Sequence, residues 1–313
     1  MRKIFNQQQI NFIENNYPIH GTKYCAEVLG FTREQIKGKA NQLGCKLPKE
    51  LKEKQKMETR LENRSRILFE TDFDSLINLD DPYSLYLLGY IWADGCITGN
   101  RKYKNKYVSL AIAEEDGVEI IPIINKLKIN KDWTYHSYPQ KKNWKTIMNI
   151  TNFDWIFAEL LERLGFRDKS SNPPSTLFSR IKEQNKKFFI LGFFDGDGSV
   201  SVGCCGEPTR ISVSFSGPSS QNWNFITDYL TSLGIDYSIR IDKRDKGSTS
   251  LLNIRKRKDC YKFLKFLYNE RGELKLGLFR KFNKLEQYEN HIKTRTDHLY
   301  KLYCEFSKTL LLP

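Results

Sequence analysis

Two apolar segments of the chain, residues 87–95 and 190–198, are near copies of one another, and each ends in Asp-Gly. In both segments, small residues occupy two positions that lie four residues apart. These are Gly89 and Ala93 in the first segment, and Gly192 and Gly196 in the second. Residues four apart share one face of an α-helix. The pattern therefore predicts two apolar helices that pack against each other at close range.

Such packing would bring Asp94 and Asp197 side by side at the C-terminal ends of the two helices. The helix dipole is already negative there, and each carboxylate would face a like charge. We expect Gly95 and Gly198 to take the left-handed conformation that often follows a helix end. A carboxylate pair held in this way favours a bound cation, and Mg²⁺ fits best because it takes oxygen ligands and bridges carboxylates to phosphate. For either segment alone, a pair of solvated helix ends is the simpler interpretation.

The similarity extends beyond these two segments. Each half of the region reads as helix, two strands, helix, two strands and helix, with the two Asp residues 103 positions apart (197 − 94 = 103). A period of about this length indicates a duplicated domain. We therefore predict an α+β fold made of two pseudo-symmetric αββαββα repeats, residues 81–182 and 183–313. The second repeat includes a C-terminal helical extension.

The predicted strands of the second repeat combine apolar alternation with polar and basic residues. Residues 210–216 alternate with period two, residues 237–243 repeat that pattern, and residues 253–258 add a basic run. A polar strand face is often merely solvated. Several such strands together indicate a sheet that lies against nucleic acid phosphates. The candidate DNA-binding residues are Arg210, Ser212, Ser214, Arg240, Lys243, Arg255 and Arg257.

Composition supports a polyanionic partner. The chain has 51 Lys and Arg against 37 Asp and Glu, for a net charge of +14, which favours nucleic acid as the partner. No window is apolar enough for a membrane span and the N-terminus has no signal-peptide pattern, so we expect a cytoplasmic protein. The seven Cys are scattered without paired C-x-x-C spacing, which argues against a zinc site or a disulfide framework.

Residues 1–48 form a separate predicted domain. Three short helices are expected at residues 6–16, 22–29 and 33–43, with Gly30 ending the second and Thr32 to Gln35 forming a capping box for the third. Two helices joined by a short glycine turn are typical of a helix-turn-helix, whose second helix enters the major groove. Three-helix modules that serve as protein adaptors show the same arrangement of helices. The candidate DNA-binding residues here are Arg33, Gln35, Lys37 and Lys39. Residues 49–80, rich in Lys and Glu, are predicted to be a charged and partly helical linker.

Residues 81 to about 290 resemble a single-chain, two-repeat LAGLIDADG homing endonuclease. The resemblance rests on the paired motifs at 87–95 and 190–198, the second of which, ending in Phe194-Asp195-Gly196-Asp197-Gly198, is close to the commonest form of the family motif. It implies that the motif helices form the central interface and that the antiparallel sheets form a saddle over DNA. It further implies that both strands are cut across the minor groove with a divalent metal, Mg²⁺ or Mn²⁺ in its place, leaving 3′ overhangs.

The resemblance also assigns roles to residues. Asp94 and Asp197 become the metal-binding catalytic acids, and a lysine of each half assists them. Lys169 matches in the first repeat, whereas Lys275 and Lys281 both remain candidates in the second. Two further residues, Asp116 and Ser219, are candidates for ordering the attacking water. Trp92 departs from the family pattern, because it stands where the first motif commonly carries its earlier, non-catalytic acid.

Three functions of different classes follow from these patterns. The first is a site-specific endonuclease, a monomer on a long and asymmetric double-stranded DNA target, since the duplication already supplies the pseudo-twofold symmetry. The second is an RNA maturase that promotes intron splicing on the same fold. The third is a non-cleaving transcriptional regulator in which the N-terminal domain dominates. Both intact acids favour the endonuclease.

Overall fold

A computed structural model describes residues 5–100, 105–127, 132–138, 145–204, 207–244 and 247–309. The chain divides into two units, Met1–Thr71 and Asp72–Pro313. Among the described residues, no helix combines the length and the apolar character that a membrane crossing requires.

The first unit consists of α1 (Gln7–Leu29), α2 (Arg33–Gln42) and α3 (Lys49–Glu70). Gly21 interrupts α1 with φ 77° and ψ −170°, so that α1 is two helices across a kink, close to the two that the sequence predicts. Gly30 ends α1 in the left-handed conformation, and Thr32 and Gln35 form the predicted capping box of α2. A small core closes the three predicted helices, with the buried residues Ile13, Tyr17, Cys25, Ala26, Ile36 and Ala40.

Helix α3 occupies most of the predicted linker and buries none of its residues. An ion pair of 3.2 Å between Lys23 and Glu62 joins it to α1, as does a hydrogen bond from Gln55 Nε2 to the carbonyl oxygen of His20. Since exposed ion pairs contribute roughly 0–1 kcal/mol, α3 adds little to the stability of this unit.

The second unit follows the predicted order of elements twice. The first repeat contains α4 (Pro82–Asp94), β1 (Gly95–Asn100), β2 (Asn105–Ala113), α5 (Glu114–Ile124), β3 (Trp133–Tyr138), β4 (Ile147–Asn152) and α6 (Trp155–Arg163). The second contains α8 (Lys186–Asp197), β5 (Gly198–Cys204), β6 (Glu207–Pro218), α9 (Asn224–Ser232), β7 (Ser238–Arg244), β8 (Gly247–Ile254) and α10 (Arg257–Tyr268). A short helix, α7 (Ser175–Phe178), lies between the repeats, and α11 (Arg271–Leu274) and α12 (Phe279–Thr309) follow the second.

Each repeat builds one four-stranded antiparallel sheet, and the two sheets have the same strand order. The orders are β1-β2-β4-β3 and β5-β6-β8-β7. Apolar side chains alternate along the central strands and point toward the helices, as Ile211, Val213 and Phe215 do in β6. The predicted α+β fold of two equivalent repeats is therefore confirmed, and the intervening side chains lie on an open face of each sheet.

Two details of the predicted strands are wrong. Strand β8 ends at Ile254, so the basic run that follows it is not part of the sheet, and Arg257 instead begins α10. The alternation in β7 does not bury its apolar residues. This strand lies at the edge of the sheet, and Ile239 and Ile241 remain 49% and 57% exposed.

Candidate active site

The site is built on α4 and α8, which lie side by side in the centre of the second unit. Asp81 caps α4 by accepting a hydrogen bond of 2.8 Å from the Ser84 N–H, and Pro82 follows at the first helical position. Nearly every later residue of α4 is buried, as is the stretch from Phe188 to Asp195 in α8. Burial on all sides is what a uniformly apolar helix requires.

Glycine sets the distance between these two helices. A Cβ atom at Gly89 would lie 1.9 Å from the carbonyl oxygen of Phe189, and one at Gly192 would lie 1.9 Å from that of Tyr86. One turn further on, a Cβ at Gly196 would lie 2.4 Å from the Cβ of Ala93. The predicted close packing of the small-residue faces is therefore confirmed.

The glycines that follow the two motif helices differ from expectation. Gly95 has φ −77° and Gly198 has φ −89°, so both are extended and neither is left-handed. Glycine is required there by space, because a Cβ would lie 2.4 Å from the carbonyl oxygen of Ile91 or Phe194, respectively. Each chain passes directly from its helix into a strand across this tight contact.

Asp94 and Asp197 end the two helices next to each other. Asp94 Oδ2 would lie 3.2 Å from a Cβ at Gly196, the residue before Asp197. Asp94 is exposed and Asp197 is half-buried, yet nearby protein atoms displace enough water to raise the pKa of both carboxyls. Burial and the charge of Asp94 together raise the pKa of Asp197 to about 6.

The two carboxylates are suited to a divalent cation. Among the described residues, none donates a hydrogen bond to either one, so their oxygens are available as ligands. Within the same described ranges, no group of three or more His, Cys, Asp or Glu forms a metal cage. Mg²⁺ commonly binds one or two carboxylates and keeps its waters or takes phosphate oxygens for the rest. A carboxylate pair facing a phosphate fits this requirement.

A lysine from each repeat lies at these helix ends. Lys169 Nζ donates to the carbonyl oxygens of Ala93 at 2.5 Å and Gly95 at 2.7 Å. Lys281 Nζ donates to those of Phe194 at 2.5 Å, Asp195 at 2.9 Å and Gly198 at 2.6 Å. Burial lowers the pKa of both ammonium groups, that of Lys281 to about 8.

Of the two candidates in the second repeat, the structure brings only Lys281 to the carboxylates. Lys275 is exposed, and it ends α11 in the left-handed conformation with φ 57°. The spacing from Asp197 favours Lys275, whereas the Arg-Lys context favours Lys281. Spacing cannot show that a left-handed turn at the end of α11 separates the two lysines.

The earlier acidic position of the motif differs between the repeats. Asp195 is fully buried and accepts hydrogen bonds from Tyr86 Oη (2.8 Å), Tyr268 Oη (3.0 Å) and the Leu278 N–H (2.7 Å). Burial raises the pKa of Asp195, and the charge of Lys281 opposes that rise. In the first repeat, Trp92 takes this position and packs edge-on against Phe166.

Two ion pairs between the repeats are not apparent from the sequence. Both carboxylate oxygens of the buried Asp116 accept from Arg280, at 2.7 and 3.0 Å, and Glu119 accepts from Arg271 at 2.9 Å. This bidentate pairing engages both carboxylate oxygens of Asp116, whose role in ordering water stays a prediction. Ser219 lies exposed in the turn before α9. A sequence signal for these pairs was available only in the Arg-rich composition of residues 271–281.

Comparison with known families agrees with this architecture. Residues 184–267 match the model of a family described as the LAGLIDADG-like domain. The chain contains a LAGLIDADG-like domain. The match covers α8 to α10, and the first repeat has the same order of elements and strands. None of the curated proteins compared with the chain matches it in sequence.

Among solved structures, the chain is similar to I-DmoI in complex with DNA and Mn, with a TM-score of 0.42 and 20% identity over 61% of this chain and 97% of that one. It is also similar to I-SmaMI bound to uncleaved DNA in the presence of calcium ions. That match has a TM-score of 0.42 and 13% identity over 70% of this chain and 93% of that one.

The predicted DNA-binding residues of the LAGLIDADG-like domain fall into two groups. Ser212 and Ser214 lie on the open face of the sheet, and Arg210 and Lys243 are exposed at its strands. Arg240 is exposed and lies 3.7 Å from Asp242. Arg255 and Arg257 are exposed outside the sheet, in the connection to α10 and at its first residue. The register adds residues that sequence reasoning missed, because Ser199, Ser214, Asn253 and Ser238 form one row across the four strands.

The four predicted residues of α2 are not equivalent in the structure. Arg33 and Lys37 are exposed one turn apart, whereas Lys39 is half-buried and Gln35 accepts the Thr32 N–H with its side-chain oxygen. Arg33 and Lys37 line a groove of about 1000 Å³ within the first unit, together with further cations. These cations are Lys23, Lys46, Lys52, Lys56 and Arg60.

Proposed function

We propose that the second unit is a site-specific endonuclease that hydrolyses one phosphodiester in each strand of double-stranded DNA. The observation that carries this proposal is the pair of carboxylates at the abutting ends of α4 and α8, flanked by Lys169 and Lys281, to which no residue in the described part of the chain donates a hydrogen bond. Phosphodiester hydrolysis needs negative groups to hold a metal and positive groups to offset charge on the phosphate. The LAGLIDADG-like match is consistent with this chemistry.

Mg²⁺, or Mn²⁺ in its place, would be held by Asp94 and Asp197 and, when bound, would polarise the scissile phosphate. The close contact of α4 with α8 holds the two acids at adjacent helix ends. The lysines keep positive charge beside the acids. Water adds to phosphorus, the bond to the 3′-oxygen breaks, and the strand ends in a 5′-phosphate and a 3′-hydroxyl. Cuts placed across the minor groove would leave 3′ overhangs.

The open faces of the two sheets are the proposed DNA interface. The row of Ser199, Ser214, Asn253 and Ser238 presents hydroxyl and amide groups, which can both donate to and accept from base edges. Exposed Arg210 and Arg240 at the same sheet would bind phosphates. Because the two repeats carry different residues on these faces, the target would be long and asymmetric. One chain supplies both halves, so a monomer suffices.

The first unit is proposed to add a second contact with DNA. Helix-turn-helix domains place the face of their second helix against the duplex, and Arg33 and Lys37 occupy one exposed face of α2. The groove they line contains seven Lys and Arg against Glu27, Glu58 and Glu62, which favours a polyanion over a neutral or cationic ligand.

Digestion of a randomised double-stranded DNA library tests the function. The intact protein is incubated with Mg²⁺, with Ca²⁺, and as the Asp94→Asn/Asp197→Asn double variant. We expect site-specific double-strand breaks with 3′ overhangs in Mg²⁺ alone. Selective binding without a cut would favour the regulator, and binding to structured RNA alone would favour the maturase.

A further inference from the structure

The two lysines at the helix ends differ in how many of their donors are already used. A lysine ammonium has three N–H donors. Lys281 places all three on carbonyl oxygens at the end of α8, whereas Lys169 places two on carbonyl oxygens at the end of α4. Within the part of the chain that the structure describes, the third donor of Lys169 has no acceptor. Lys169 can therefore bind a phosphate oxygen without giving up a hydrogen bond, and Lys281 cannot.

The two lysines also differ in burial, and Lys281 is again the more enclosed. Lys281 is 3% exposed, beneath the end of α8. Lys169 is half-buried and lines an open cavity of about 490 Å³ together with Cys96, Phe166 and Arg167. Lys169 is therefore the more accessible of the two lysines.

The chain before Lys281 is fixed at each of three consecutive residues. The Leu278 N–H donates to Asp195 at 2.7 Å, the Phe279 N–H donates to Glu119 at 2.8 Å, and Arg280 pairs with Asp116. Two of these carboxylates belong to the first repeat, so the segment is bound to both halves. Rigid support of this kind suits a group whose task is to hold other groups in place.

The chain around Lys169 is held differently. Asp168 adopts φ 56° and its carbonyl oxygen accepts from the N–H groups of Ser171 and Asn172, while Asp168 and Arg167 are exposed. The turn is ordered by these two bonds and by one from the second repeat, in which the Asn222 N–H donates to the carbonyl oxygen of Ser170 at 2.6 Å. The Lys169 side chain is held by two hydrogen bonds, one fewer than that of Lys281.

We propose that Lys169 is the lysine that contacts the scissile phosphate, and that Lys281 is a positioning residue that holds the C-terminal end of α8 and, through it, Asp197. This inference rests on the proposed endonuclease function. Lys281 acts by satisfying the carbonyl oxygens that a helix leaves unpaired at its C-terminus and by placing a positive charge at the negative end of the helix dipole. The two halves of the site are then chemically unequal although their folds are the same.

The lysine ammonium groups can be observed directly in the intact protein by ¹⁵N-detected NMR. Signals are assigned with Lys169→Met and Lys281→Arg, and spectra are recorded without DNA and with a duplex recovered from the library in Ca²⁺. We expect the Lys281 ammonium protons to exchange with water about tenfold or more slowly than those of Lys169. On addition of DNA, the Lys169 signal should shift and the Lys281 signal should stay in place.

A Lys281 signal that shifts with DNA as much as that of Lys169, or that exchanges equally fast in the free protein, would overturn the inference. If neither signal shifts because no duplex binds, the endonuclease proposal fails and the role of Lys169 fails with it. The free-protein exchange rates separate these two failures, since they do not depend on DNA.

A cleavage assay that follows each DNA strand separately provides a second test. With each strand labelled in turn, Lys169→Met should slow the cutting of one strand and lower the melting temperature less than Lys281→Met does, because Lys169 makes two of the helix-end hydrogen bonds and Lys281 makes three. Lys281→Met should lower the melting temperature and weaken Ca²⁺ binding in the absence of DNA, because Asp197 loses its support. Equal melting temperatures and equal Ca²⁺ affinities for the two variants would contradict the proposal.

Discussion

The two repeats of the second unit share their topology and strand order, but the ends of their motif helices are built from different chemistry. In the second repeat the position two residues before Asp197 is Asp195, which accepts three hydrogen bonds from Tyr86, Tyr268 and Leu278. In the first repeat it is Trp92, which packs against the rings of Phe166 and Phe189. One half is fixed by a buried polar network, and the other is fixed by aromatic packing.

This difference shows what duplication preserves. The contact between α4 and α8 allows almost no change, because each helix places a glycine against a carbonyl oxygen of the other. The residues behind that contact are free to diverge as long as they hold the helix ends. A polar network ties together specific donors and acceptors, whereas ring packing depends on volume and tolerates more substitutions.

The largest effect is expected where the repeats are most alike. Gly89→Ala and Gly192→Ala should each destabilise the second unit by about 4 kcal/mol or more, since each Cβ would lie 1.9 Å from a backbone oxygen. Chemical denaturation measures the loss. Gly272→Ala is the matched control, because a Cβ there meets nothing within 4 Å. A well-tolerated change at either interface glycine would show that the repeats are not equivalent even here.

A smaller but still large effect is expected at Asp195. Asp195→Ala leaves two buried hydroxyls and one N–H without their acceptor, and it should cost about 3–5 kcal/mol in the free energy of unfolding. The change should also loosen the segment that carries Lys281. Hydrogen exchange at the Leu278 amide checks that link, and an amide as protected as in the parent protein would contradict it.

Asp197→Asn should stabilise the metal-free protein while abolishing cleavage. The pKa of Asp197 is raised to about 6, so its ionisation costs more in the folded than in the unfolded chain, and stability falls as pH rises from about 4 through 6. After allowance for solvent around this half-buried group, we expect a gain of roughly 1–2 kcal/mol above pH 7 that vanishes near pH 4. Thermal unfolding in chelator across this range measures it. A gain that is independent of pH would point to a different cause.

The smallest effect is expected at Trp92. Its indole N–H is buried without a hydrogen-bond partner in the described structure. Trp92→Phe removes that unpaired donor and keeps a ring beside Phe166. The destabilisation from the lost side-chain volume and the stabilisation from removing a buried unpaired N–H should cancel to within about 1 kcal/mol. A loss as large as that of Asp195→Ala would mean that ring packing is as specific as the polar network.

The fold could be predicted from sequence because its signals are periodic. Small residues four apart gave the α4–α8 contact, and period-two alternation gave the strands. The backbone conformation of Gly95 and Gly198 could not be predicted. A glycine required because a Cβ would not fit and a glycine required for its positive φ look alike in sequence. The predicted end of β8 was wrong for a related reason. The basic run after Ile254 carries no signal that distinguishes a continuing strand from the start of a helix.

The site was only partly predictable. Asp94 and Asp197 follow from the repeat, and Lys169 follows from the resemblance. The choice between Lys275 and Lys281 depends on a left-handed residue and a four-residue helix, which spacing does not reveal. The pairing of Asp116 with Arg280 joins residues 164 positions apart, and no local pattern predicts a contact of that kind.

We propose that Asp94 and Asp197 together cut both strands of DNA. The most direct test is digestion, in Mg²⁺, of the library-selected duplex labelled on each strand, by the parent protein and by Asp94→Asn and Asp197→Asn separately. We expect the parent to cut both strands at one site and each variant to lose the double-strand break, with the rate lower by about 10²-fold or more. Double-strand cutting at the parent rate by either variant would contradict the account.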